Sequence, residues 1–307
     1  MAGNALLTRL SDEPVLGVAM GSVSVLRLDL TGGLAPGNKV FKLRGNLDCA
    51  RRSGAERVVS FGGAWSNHLH ALAAVGAEAG FDTVGIVRGE ASELDTAMLA
   101  DARRWGMELI PVSRSEYRLR NTPQYMSMLQ QRYAPCLVIP EGGANPEGVR
   151  GCMAIAALLD DAVAVAAGSN VYVVAVGTGT TLAGLAASLP ADSKLVGVSA
   201  LRGADDLETR VEQALLACGG TSTACDWRIL HDFHCGGFAR VSAELRDFIL
   251  AFELVHGISL EPVYTGKALF AIHQLLQRGY WRSGESIVMI HTGGLQGRRG
   301  YAWLADE

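Results

Sequence analysis

The chain has 307 residues, 49% of them hydrophobic and 19% charged, so it carries enough apolar surface for a folded core and falls outside the disordered class. Its 27 Lys and Arg against 31 Asp and Glu leave a net charge of −4, with no basic excess for a nucleic acid or an anionic membrane surface. The length predicts about two domains, and 37 glycines stand where an ordinary chain would hold about 21, which predicts many tight turns.

The N-terminal run MAGNALLTRLSDEPVLG meets Arg9, Asp12 and Glu13 before any long apolar stretch, so no secretory leader is expected. Cysteines 49, 136, 152, 218, 225 and 235 form no C-x-x-C pair. They read as free thiols of a reducing compartment, and the expected location is the cytoplasm. Strands are expected at Val23–Leu28, Val58–Phe61, Thr83–Val87, Glu108–Pro111, Cys136–Ile139, Val171–Val176, Lys194–Val198 and Ser286–Ile290. Helices are expected at Ser66–Ala79, Leu94–Trp105, Gly148–Leu159, Thr181–Leu189 and Lys267–Arg278. Strands nearly continuous in Val, Ile and Leu, alternating with helices, predict an α/β protein with mostly parallel sheets covered on both faces. The charge-free run Ala162–Ala191 is long enough to span a bilayer, but Gly168-Ser169-Asn170 and Gly177-Thr178-Gly179 break it into strand, loop and helix. No membrane span is expected.

Ligand sites of open α/β sheets lie where strands end and helices begin, and three such junctions carry unusual residues. Val58–Phe61 runs into Gly62-Gly63-Ala64-Trp65-Ser66-Asn67-His68, a glycine turn with good helix caps that suits a carboxylate. Val173–Val176 runs into Gly177-Thr178-Gly179-Thr180-Thr181, a loop of bare N–H groups and hydroxyls that suits one phosphate. It is neither a P-loop nor a dinucleotide fingerprint, and the next strand ends in Ser199-Ala200-Leu201 without the acidic residue that a nicotinamide dehydrogenase needs. Ile287–Ile290 continues into His291-Thr292-Gly293-Gly294, which reads as a plain turn.

Lys39 and Lys42 follow Gly37-Asn38 and share one face if the segment is helical. A lysine in a partly desolvated pocket can lose its proton and attack a carbonyl. A reactive lysine, a single-phosphate cradle and a carboxylate nest together suit pyridoxal phosphate with an amino acid. Histidines 68, 70, 231, 234, 256, 273 and 291 form no convincing metal set, so no metal is expected.

From Arg27 to Tyr301 the chain resembles the 1-aminocyclopropane-1-carboxylate deaminase / D-cysteine desulfhydrase family. That family lies within the tryptophan-synthase-β-like (fold type II) group of pyridoxal-phosphate enzymes. The resemblance runs through RLDLTGGLAPGNKVFKL, SFGGAWSNH, EGGANPEG, VGTGTTLAG, EPVYTGKAL and HTGGLQG in one colinear order. It implies two interleaved three-layer α/β/α domains. Residues 1–38 and 141–307 would form a larger cofactor-binding domain, and 39–140 a smaller one carrying the lysine and the Ser-Asn loop. It implies Lys39 as the Schiff-base lysine that also moves the Cα proton, and Lys42 as an aid to the phosphate. Asn67 would lie beside the cofactor's O3′, and Gly177, Thr178, Gly179, Thr180 and Thr181 would cradle the phosphate. Tyr264 would lie near ring and substrate, with Thr265 at the pyridine nitrogen. Trp65, Ser66, Asn67 and His68 would meet the substrate, Ser66 and Tyr264 handling protons. A homodimer is implied as well.

Three departures bear on the reaction. Ring-opening members carry Glu at the position of Thr265, Phe238 replaces a second tyrosine, and Trp65 stands where Gln is expected. The expected reaction is therefore a D-cysteine desulfhydrase-like α,β-elimination on a small amino acid, giving a keto acid and ammonia. Ring opening of 1-aminocyclopropane-1-carboxylate to 2-oxobutanoate and a non-catalytic cofactor-binding homologue are the alternatives.

Overall fold

The structure, a computed structural model, describes residues 6–163, 170–219, 225–282 and 284–304. Its strands are β1 (Leu7–Arg9), β2 (Val23–Arg27), β3 (Arg57–Gly63), β4 (Asp82–Arg88), β5 (Glu108–Val112), β6 (Cys136–Val138), β7 (Asn170–Val176), β8 (Lys194–Ser199), β9 (Asp226–Leu230) and β10 (Ser286–His291). The helices are α1 (Asn38–Arg52), α2 (Asn67–Ala79), α3 (Ala97–Arg104), α4 (Arg114–Tyr117), α5 (Pro123–Arg132), α6 (Pro146–Val163), α7 (Thr180–Ala186), α8 (Leu207–Ala217), α9 (Ala243–His256) and α10 (Thr265–Gln277). Gly168 and Ser169, expected to break the charge-free run, lie outside the described residues, among which no helix is long and apolar enough to cross a membrane.

The chain packs as two units. The first is Met1–Thr31 with Cys152–Leu295, and the second is Gly32–Gly151 with Gln296–Glu307. The sequence expectation sets the boundaries at 38/39 and 140/141 and assigns the C-terminal segment to the larger domain. That segment carries polar anchors, described below, that no apolar pattern announces.

In the first unit the strand order is β1-β2-β10-β7-β8-β9, with β1 antiparallel to β2 and every other pairing parallel. Helices α7 and α8 pack together, as do α9 and α10, and both α7 and α10 lie on β7 and β8. In the second unit β5-β4-β3-β6 is wholly parallel. Alternation along these strands divides the apolar residues between two cores. Val58 and Val87 join Leu43, Leu47, Leu69, Leu72 and Leu99 from α1, α2 and α3. Val59, Phe61, Val84 and Ile86 join Tyr117, Tyr125 and Leu129 from α4 and α5. Two-faced burial is the condition that makes such strands read as continuous apolar runs.

The eight expected strands all form, whereas β1 and β9 carry no such signal. β1 has three residues, and β9 is Asp-Trp-Arg-Ile-Leu, an edge strand whose charges hide the pattern. α9 lies outside the expected helices although Leu245, Phe248, Ile249 and Phe252 are spaced i, i+3, i+4, i+7 and all buried.

Candidate active site

In the second unit, Gly37 (φ 129) precedes α1 and adopts a backbone conformation that side chains disfavour. It sets Asn38 and Lys39 at the first turn of α1. Lys39 is half-buried, with Nζ donating to Asn38 Oδ1 at 3.2 Å, and Lys42 one turn on is 3% exposed. The α-carbon of Gly143 approaches this lysine closely, since a Cβ there would stand 3.2 Å from Lys42 Cβ.

β3 delivers the Ser-Asn loop. Ser66 caps α2, its Oγ accepting from the Leu69 N–H at 3.2 Å, and Asn67 begins the helix. Gly62 allows this turn to close, because a Cβ there would fall 2.4 Å from Ser66 Oγ. His68 is buried at 2% exposure, beneath the loop. Ser60 Oγ donates to the Ile139 carbonyl (2.8 Å) and so accepts from His68 Nε2 (2.8 Å). His68 Nδ1 is then a buried acceptor with no hydrogen-bond partner among the described residues. Burial, reinforced by the Lys39 and Lys42 charges, pushes the His68 pKa down to about 3, so the ring is neutral at physiological pH.

The C-terminal segment buttresses this loop, and sequence reasoning missed it. Gln296 Nε2 donates to Asn67 Oδ1 at 2.9 Å, which leaves the Asn67 amide N–H groups as the donors to offer. Gly300 lies flat against the Trp65 ring, where a Cβ would stand 3.3 Å from three ring carbons. Arg299 and Arg104 both bond Asp101, which also meets His70 Nε2 at 3.2 Å. Burial alone would raise the Asp101 pKa, but these partners outweigh it and hold the carboxyl at about 2.

In the first unit, β7 ends in Gly177-Thr178-Gly179. A Cβ at Gly177 would fall 3.1 Å from Tyr264 Cε1, so the glycine is what lets the tyrosine ring lie against the loop. Gly179 (φ 84) turns the chain into α7, and the Thr178 and Thr180 hydroxyls lie 3.0 Å apart. Thr180 and Thr181 are buried at 1% and 4% exposure.

Tyr264 stands at the head of α10, which is anchored by a residue the sequence reading left out. Glu261, 2% exposed, accepts the backbone N–H of Val263 (2.8 Å), Tyr264 (2.7 Å) and Thr265 (2.6 Å). Burial raises its pKa, and the three N–H bonds oppose that rise. The Thr265 hydroxyl is fully buried, accepts from the Glu261 N–H (2.9 Å) and lies 3.3 Å from the Glu261 carbonyl as donor. Behind this turn, His291 Nδ1 lies 3.1 Å from Asp29 Oδ1, and its Nε2 donates to the Ser259 carbonyl at 2.9 Å. Burial would push the Asp29 pKa up, but the bonds from His291 and Arg27 hold the carboxyl far below the usual carboxylate range.

The two units thus carry complementary chemistry. One has an amine on a short tether, an oriented amide and a neutral buried imidazole. The other has a loop of glycines and threonine hydroxyls without an acidic side chain, and a tyrosine. Taken by itself, the first set suits the aldehyde and phenolic oxygen that pyridoxal phosphate presents, and the second suits its dianionic phosphate.

Comparison with known proteins agrees. The model of a family described as pyridoxal-phosphate dependent enzyme matches residues 16–293. The D-cysteine desulfhydrase of Yersinia enterocolitica is 30% identical over 314 positions, covering 96% of this chain and 92% of its own length. A candidate 1-aminocyclopropane-1-carboxylate deaminase of Pyrococcus furiosus is 29% identical, covering 90% and 85%. Among solved structures, an ACC deaminase homologue superposes with a TM-score of 0.78 at 26% identity, covering 98% of this chain and 96% of its own.

Proposed function

We infer the following from the premise that this chain belongs to the 1-aminocyclopropane-1-carboxylate deaminase / D-cysteine desulfhydrase family of fold type II pyridoxal-phosphate dependent enzymes. It is a pyridoxal-phosphate-dependent lyase that carries out elimination with deamination of a small amino acid. We propose D-cysteine, or a D-amino acid with a similarly short leaving group, as the substrate, with pyruvate, ammonia and sulfide as products.

When bound, pyridoxal phosphate supplies an electron sink for negative charge at the substrate's Cα. Lys39 would hold the cofactor covalently through Nζ, exchange it for the substrate amine, and then take the Cα proton. Gly177 to Thr181 and Lys42 would hold the phosphate. Asn67, its carbonyl oxygen secured by Gln296, would donate an amide N–H to the cofactor's O3′. The neutral His68 adds no charge beside the two lysines and keeps Nδ1 as an acceptor. Ser66, although it caps α2, can rotate its proton toward a substrate carboxylate or leaving group, and Trp65 and Tyr264 would bound the substrate's side chain.

The observation that carries elimination over ring opening is at Thr265. Its position holds a hydroxyl whose proton is directed at the Glu261 carbonyl, so a contact to the pyridine nitrogen requires that 3.3 Å bond to open. A hydroxyl so occupied supports a protonated ring nitrogen less than a carboxylate does. Loss of a good leaving group such as sulfide demands less of the electron sink than breaking a cyclopropane C–C bond. The test is a keto-acid assay on D-cysteine, L-cysteine, D-serine derivatives and 1-aminocyclopropane-1-carboxylate. Pyruvate from D-cysteine with no 2-oxobutanoate from the cyclopropane is the expected outcome, and the reverse pattern contradicts it. The working form would be a cytoplasmic homodimer, as the family resemblance implies, and sedimentation equilibrium at twice the chain mass checks the assembly.

A further inference from the structure

Lys267 has no part in the chemistry above, yet it is fully buried in α10. Interior ammonium groups are unfavourable without strong partners, and no ion pair to it forms among the described residues. Its Nζ donates instead to two backbone carbonyls, Gly237 at 2.7 Å and Ala200 at 3.3 Å. Both carbonyls lie in the loops that follow the carboxyl ends of neighbouring strands, β9 and β8.

The loop after β9 is bent hard. Cys235 (φ 50), Gly236 (φ 95), Gly237 (φ 112) and Ala239 (φ 56) all have positive φ, and two of them carry a Cβ. Residues with side chains in this region store backbone strain that the surrounding structure must hold in place. The loop's apex is Phe238, 53% exposed, whose ring meets Tyr264 edge-on with centroids 6.2 Å apart. α10 therefore acts on both sides of that aromatic contact: Tyr264 stands at its cap, and Lys267, one turn on, grips the residue before Phe238.

We propose that Lys267 is a positioning residue for substrate selection: through the Gly237 and Ala200 carbonyls it holds the strained Cys235–Ala239 turn so that Phe238 stays against Tyr264 and limits the amino-acid side chain admitted. This rests on the reading that Tyr264 bounds the substrate. Burial lowers the Lys267 pKa to about 8, opposed by Cys235 and Glu261, so the tether costs the fold something to keep.

The test uses Lys267→Met, which keeps length and apolar bulk but removes the donors, with Phe238→Ala and the double variant. In the holoenzyme, Lys267→Met raises KM for D-cysteine roughly tenfold with kcat within about twofold, the scale of hydrogen bonds from a charged donor. The cofactor's absorption band is unchanged, and in the Phe238→Ala background the same substitution moves KM by less than about twofold. In cofactor-free protein, iodoacetamide labels the half-buried Cys235, mapped by mass spectrometry, about tenfold faster once the tether is cut. That readout stands even if D-cysteine is not the substrate. Should Lys267→Met not fold, Lys267→Gln keeps a polar side chain of shorter reach in place of the ammonium and raises KM and Cys235 labelling in the same direction. The proposal is overturned if either folded variant leaves KM and Cys235 labelling at wild-type values, or if the KM shift is equally large without Phe238.

Discussion

The two units position their site groups by opposite means. In the second unit, side chains brace side chains across long sequence distances: Gln296 holds Asn67 and Arg299 holds Asp101, while the Gly300 backbone lies against Trp65. In the first unit, buried charges grip backbone: Glu261 takes three N–H groups of one turn, and Lys267 takes two loop carbonyls. Side-chain bracing fixes the identity of the residue that is braced. Backbone gripping fixes only the path of the chain and leaves the side chains on it free to differ. Of the three positions at which the resemblance implies a departure from ring-opening members, Thr265 and Phe238 lie on gripped backbone and Trp65 lies on the braced side.

The contrast is broken most severely at Glu261. Replacing it with Ala leaves three buried N–H groups without an acceptor, a loss on the order of 3–5 kcal/mol in urea unfolding. Glu261→Gln keeps part of the cap and is expected to cost roughly 1–2 kcal/mol. A loss below ~1 kcal/mol for Glu261→Ala would mean that the turn stands without its grip. On the braced side, Gln296→Leu frees Asn67 to turn its amide. Cofactor affinity, measured by fluorescence titration, should weaken roughly tenfold with little change in unfolding free energy. Unchanged affinity would remove Gln296 from the account.

Asp101 gives the smallest and most specific effect. Its carboxyl is held at about 2 against about 4 in an unfolded chain. Its stabilisation is therefore complete above pH ~4 and is lost as the pH falls from ~4 to ~2. Arg104 is largely exposed, so after screening the contribution is on the order of 1 kcal/mol. Asp101→Asn should lower stability at neutral pH by that amount and flatten the acid limb. An acid limb as steep as that of the wild type would assign it to other carboxylates.

What the sequence made legible follows from the same contrast. Parallel strands buried on both faces announce themselves, and the loops that follow them, Gly62–Asn67 and Gly177–Thr181, could be picked out by composition because bare N–H groups and hydroxyls are unusual at a strand end. The supports could not. Glu261 and Lys267 look like surface charges in EPVYTGKAL, since nothing local states that both side chains turn inward. Gln296 lies 229 positions from Asn67, a distance over which no periodicity extends. Nor could the Ser60 contact of His68 be read from the sequence: the helix that Ser66 caps carries its second residue inward.

The most direct test of the account is the absorption spectrum of the purified protein with pyridoxal phosphate, beside Lys39→Ala. The wild type should develop a visible band that D-cysteine depletes as pyruvate and sulfide appear in equal amounts, while the variant shows neither band nor products. A visible band of undiminished strength in Lys39→Ala, with turnover retained, would contradict the assignment of Lys39 and the mechanism built on it.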